Sequence, residues 1–69
     1  MRTFKVLFEN NNAVSAAKML FPHPDDLILV EEKKGIKYLQ WLCVEADDEQ
    51  SAIELANSTL VEYGDSFLA

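Results

Sequence analysis

His23 is held between Pro22 and Pro24 and is followed by Asp25 and Asp26. An imidazole and two carboxylates can together ligate a divalent cation. Three ligands packed into one short proline-stiffened segment rarely converge on a single ion, and no second His or Cys cluster completes a shell. The segment reads as a solvated turn, with a small-ligand-binding loop at residues 22–26 as its sharper alternative. Cys43 is the one thiol. A thiolate nucleophile needs a nearby base or cation, whereas Leu42 and Val44 flank this one and acids lie beyond, which favours a packed, inert cysteine. Glu45, Asp47, Asp48 and Glu49 could face a hard cation. They lack the D-x-D-x-D-G spacing of a calcium loop, and helix capping accounts for the acids from Asp47 onward. Lys33, Lys34 and Lys37 could touch phosphate. With Glu31 and Glu32 beside them they read as edge protection, and two glycines are too few for a phosphate-cradling loop. No nucleophile, base and orienting group can be assembled. The expectation is a protein that is not an enzyme and uses no cofactor and no metal.

Charge is segregated along the chain. All six Lys and Arg residues lie at or before Lys37, while Glu45, Asp47, Asp48, Glu49, Glu54, Glu62 and Asp65 follow it unopposed, within a net charge of −6. Such a field repels phosphate backbones and anionic membrane surfaces, so direct nucleic-acid and membrane binding are not expected. No apolar run approaches the ~20 residues that span a bilayer. Residues 1–6 enter an alternating pattern without the apolar core of a signal peptide. A single cysteine rules out an internal disulfide. The expected location is cytoplasmic.

The elements that position these residues follow from periodicity. Arg2 to Glu9 alternates, with Phe4, Val6 and Phe8 on one side, which predicts a strand. Asn10, Asn11 and Asn12 predict a turn that caps a short helix over Ala13 to Phe21, where Val14, Ala17 and Phe21 recur at helical spacing and Pro22 ends the run. Leu27 to Glu32 predicts a second strand, and Lys33-Lys34-Gly35 a hairpin turn with Gly35 at positive φ. Ile36 to Ala46 predicts a third strand, apolar on both faces: Tyr38, Leu42 and Val44 on one, Leu39, Trp41 and Cys43 on the other. Asp47 to Tyr63 predicts the main helix. Asp47 and Gln50 form its cap, Ala52, Ile53, Ala56, Leu60 and Tyr63 its buried stripe, and Gly64 its stop. The tail from Asp65 to Ala69 either frays or adds an edge strand.

The resulting expectation is one small α+β domain over residues 1–69, ordered β-α-β-β-α. It has a three-stranded, mostly antiparallel sheet with two helices on one face, a truncated ferredoxin-like or split β-α-β arrangement. Two helices on one face leave the other sheet face partly apolar, with Leu7, Leu39 and Trp41 as its expected members. Trp41 reads first as the anchor of the core, and otherwise as the centre of such a patch, where tryptophan is a typical binding anchor. The stretch from Trp41 to Ala56 resembles a strand-to-helix junction recurrent in small bacterial and phage domains; the resemblance implies architecture and no activity.

The functional expectation is a small acidic protein-interaction module, an adaptor or inhibitor of the kind phages and mobile elements encode, bound to a protein partner or to itself as a homodimer. Leu7, Leu39 and Trp41 are its expected apolar contacts, and Glu45, Glu54 and Glu62 its acidic ones. The alternatives are an acidic nucleic-acid mimic, with an acid stripe across Glu45, Asp48, Glu54 and Glu62, and the ligand-binding loop named above.

Overall fold

A computed structural model describes residues 2–20 and 27–67 of the chain. Five elements follow in order: β1 (Arg2–Glu9), β2 (Asn12–Met19), β3 (Ile28–Lys33), β4 (Ile36–Ala46) and α1 (Glu49–Phe67). The fold is α+β: a four-stranded antiparallel sheet in the order β2-β1-β4-β3, with α1 on one face. The expected class holds, but the sheet has four strands rather than three, and α1 is the single helix among the described residues. It is not long and apolar enough to cross a membrane.

The expected first helix is strand β2. The cause is the turn before it. Glu9 pairs with Asn12, so Asn10 and Asn11 alone close the loop, at φ 53° and 62°. Two-residue loops with positive φ at both positions match the twist of a hairpin, and asparagine tolerates that conformation better than most residues. The chain therefore turns straight back along β1 instead of starting a helix. The second hairpin repeats the device: Lys33 pairs with Ile36, and Lys34 and Gly35 make the turn at φ 53° and 79°. This is the turn that the Lys-Lys-Gly sequence predicts.

The helical spacing read in residues 13–21 has a second source. The β1–β2 register shifts between Leu7 and Phe8, which face Ser15 and Ala13, leaving Val14 as an extra residue. A bulge of this kind moves the next inward residue from two positions away to three. Ala13 and Ala16 accordingly both pack on the core. A matching irregularity lies in β4. Leu29 faces Trp41 but Val30 faces Leu39, so Gln40 is the extra residue. Leu39, Leu42 and Val44 then share the helix-facing side. The expected division of β4 by strict alternation is corrected: Tyr38 falls with Trp41 and Cys43, and Leu39 falls with Leu42 and Val44.

The core lies between sheet and helix. It joins Phe4, Val6 and Phe8 of β1, Leu39 and Ala46 of β4, and Ala52 and Ala56 of α1. Val6 and Leu39 are its largest fully buried side chains. Burial of each contributes about 1.5–3 kcal/mol. Ala52 and Ala56 are completely buried, and their small size lets the helix backbone approach the sheet. Ile53 and Leu60 join the same stripe, while Tyr63 is mostly exposed. Two asparagines tie distant segments together. Asn57 Oδ1 accepts the Ala13 N–H at 3.0 Å, beside the β2 bulge. Asn11 Oδ1 accepts the Leu39 N–H at 2.9 Å, beyond the last β1–β4 pair, Leu7 with Trp41.

The helix boundaries also move. Asp48, rather than Asp47, is the cap: its Oδ1 accepts the Ser51 N–H at 2.7 Å, and its carbonyl accepts the Ala52 N–H at 3.0 Å. Gly64 does not stop the helix, which runs on through Phe67. A tail strand is excluded for 65–67; residues 68–69 lie outside the described residues.

Two expected outcomes follow. The Ser51 backbone N–H, with its hydroxyl, holds the Asp48 carboxyl below its ordinary 3.8. A depressed folded-state value stabilises the fold above that pH, and the contribution disappears as pH falls through the folded value. Thermal melts at neutral pH should show Asp48→Ala lowering the midpoint and Asp47→Ala leaving it nearly unchanged, with the difference vanishing in strong acid. Asn11→Ala should cost about 1–3 kcal/mol in denaturant unfolding, because it removes both a tolerated left-handed residue and the acceptor for Leu39.

Candidate functional site

The side of the sheet away from α1 has no described element over it. Alternation from the core residues places Lys5 and Leu7 of β1, Trp41, Cys43 and Glu45 of β4, Leu29 of β3, and Ala17 and Met19 of β2 on this side. Its central row runs Ser15, Leu7, Trp41, Leu29 across all four strands; the next runs Ala17, Lys5, Cys43. The backbone joins Leu27 to this second row, since the Cys43 N–H donates to the Leu27 carbonyl at 2.8 Å.

Two contacts organise the face. Lys5 Nζ lies 3.7 Å from the centroid of the Trp41 ring, a cation–π pair that leaves the indole only half-buried. The Cys43 thiol donates to Met19 Sδ at 3.4 Å, spanning β1. Leu7 is 41% exposed and Leu27 43%. Around them the face carries Glu45, and toward the hairpin tips Glu31 and Lys33. Such a surface can be desolvated by a flat apolar partner with a few charges at its rim.

The residues expected at the contact surface divide three ways. Leu7, Trp41 and Glu45 share this face. Leu39 does not: at 1% exposure it is in the core on the opposite side, put there by the extra residue Gln40. Glu54 and Glu62 are exposed on α1, in the other layer. Lys5, Met19, Leu27 and Leu29 belong to the face but carried no signal of their own in the sequence. Met19 was hidden by the helical reading of β2, and Leu29 needed its pairing with Trp41.

The other candidate chemistry is spread out. Residues 21–26 lie outside the described residues, and with them the His23 loop. Among the described residues no group of three His, Cys, Asp or Glu side chains could hold a metal. Asp48 and Glu49 line a shallow cleft with Arg2 and Lys18, so the junction acids face bases across it. A cleft of about 410 Å³ opens between the two hairpin tips, where Lys33 and Lys34 meet Glu9 and Tyr38. This is a mixed-charge lining without a nucleophile. Compared with protein-family models, curated proteins and solved structures, the chain matches none.

The division of the apolar residues is testable by unfolding. Leu39→Ala should cost about 2–5 kcal/mol, as core truncations do. Leu7→Ala, on the open face, should cost less than about 1 kcal/mol. Equal effects would mean that the two leucines are not on different faces.

Proposed function

We propose that the protein is a small acidic protein-interaction module without enzymatic activity, acting as an adaptor or inhibitor. The observation that carries this reading is the open sheet face: Leu7, Leu27, Leu29, Met19 and Trp41 lie on one side of a four-stranded sheet whose only described helix covers the other. Trp41 is the affinity anchor, since a half-buried tryptophan beside exposed leucines offers a partner a large desolvation gain at one point. Lys5 over its ring holds it in place. The acids of α1 have a separate task. Glu54, Glu62 and Asp65 are exposed and no base lies on the helix, so they steer a partner with basic features around its apolar contact. The nucleic-acid-mimic alternative is weaker, because Glu45 sits on the open face and the helix acids on the opposite layer, which breaks its continuous stripe.

The two roles separate kinetically. Against a partner captured with the intact protein, Trp41→Ala should weaken binding about 30-fold or more, mainly through faster dissociation. The double variant Glu54→Lys with Glu62→Lys should slow association several-fold in low salt and leave dissociation nearly unchanged. Full-strength binding by Trp41→Ala, with circular dichroism unchanged, would sink the reading.

A further inference from the structure

We propose that the open sheet face pairs with the same face of a second copy, forming a two-fold dimer of layer order helix, sheet, sheet, helix. This inference rests on the reading of that face as an interaction surface and names its occupant.

The distribution of charge argues for a second copy on this face. Residues 47–67 contain Asp47, Asp48, Glu49, Glu54, Glu62 and Asp65 and no base. Those six account for the whole net charge of −6, because the remaining six acids are matched by the six Lys and Arg. Segment 47–67 is therefore the acidic part of the chain, while the described residues before it carry six bases against four acids. Pairing through the open faces places the two helices on the outer sides. With sheets stacked about 10 Å apart and a helix beyond each, the acidic layers are separated by more than about 20 Å, over twice the ~8–10 Å screening length. Pairing edge to edge through β2 would instead set the two acidic helices side by side, at about 8–10 Å if they touched. Edge pairing through β3 meets Glu31, Glu32 and Lys33.

The face is also self-complementary in charge and adequate in size. Lys5 is the base at its centre, and Glu45 lies on the neighbouring strand one row away, where Thr3 pairs with Glu45 and Lys5 with Cys43. In a two-fold contact each Lys5 can meet the partner copy's Glu45 and the reverse, as an isologous interface requires. Four strands at ~4.8 Å and eight residues at ~3.3 Å give a flat footprint of roughly 500 Å². Side-chain relief raises this toward the ~800 Å² per partner of a standard interface. Sheets stacked in this way interdigitate side chains such as Leu7, Trp41 and Leu29 into a second apolar layer.

Sedimentation of the full chain between about 1 μM and 1 mM at moderate salt tests the proposal. The expected mass is twice 7.8 kDa at the upper end. Leu7→Lys and, separately, Leu27→Lys should weaken dimerisation at least about tenfold, with circular dichroism confirming the fold. Lys5→Glu and Glu45→Lys should each weaken it, and the two together should restore part of the loss. Val61→Lys, on the exposed flank of α1, should change nothing. A monomer across the whole range overturns the proposal, as does a dimer that survives both leucine changes or is broken by Val61→Lys. The two readings fail separately. A monomer that binds a different protein through Leu7 and Trp41 removes self-pairing and keeps the interaction surface. A partner whose binding ignores those residues removes the surface itself.

Discussion

Asn10 and Asn11 adopt left-handed backbone at φ 53° and 62°, and that two-residue reversal sets β2 beside β1 and brings an acceptor to β4. It folds β2 back on β1, so that β1 becomes an interior strand with partners on both sides. Interior position is what lets Phe4, Val6 and Phe8 sit over the middle of the sheet beneath α1. The same turn reaches further. Asn11 accepts the Leu39 N–H where the β1–β4 ladder ends, so one side chain joins the first hairpin to the second. A residue without left-handed tolerance at this point would strain the turn, and one without an acceptor would leave a part-buried N–H unsatisfied.

The two bulges then decide what faces what. One extra residue at Val14 and one at Gln40 each reset the alternation of a strand, and each lies near an asparagine-to-backbone bond. The consequence for the two faces is direct. Without the β4 bulge, Leu39 and Trp41 would share a face, and either the core would lose its largest buried leucine or the open face its indole. With it, Leu39 fills the core while Trp41 stands outside under Lys5.

Charge follows the layers. Segment 47–67 holds the net negative charge, and the described strands and turns hold six bases, four acids and an apolar surface on the side that no described element covers. A small domain buries only about 60% of the area its unfolded chain exposes, so a sheet with one covered face is an ordinary outcome at this size. What distinguishes this one is the concentration of Leu, Met and Trp on the side that no described element covers. The junction acids have structural work: Asp48 caps α1, and with Glu49 it shares a cleft with Arg2 and Lys18. Glu45, Glu54, Glu62 and Asp65 are exposed.

Local physics made much of this legible in the residues. Period-two alternation marks β1, the Lys34-Gly35 turn marks the second hairpin, a long apolar run marks β4, and an acid-led amphipathic stretch marks α1, within a residue or two except at the C-terminal end of α1. The side that Trp41 takes was not: its residue type suits a core anchor as well as the centre of an exposed patch. Nor were the identity of β2 and the facing of Leu39. Ala13 with Ala16, and Leu39 with Leu42, are spaced three apart, which a helix and a bulged strand produce equally. Only pairing with a strand elsewhere in the chain distinguishes them. The sequence by itself determined which segments must bury apolar surface and where the charge collects, because those depend on residue type and near neighbours. The tertiary structure alone decided which face each side chain takes, because a bulge is set by its cross-strand partner and stabilised by asparagines 28 and 44 residues away.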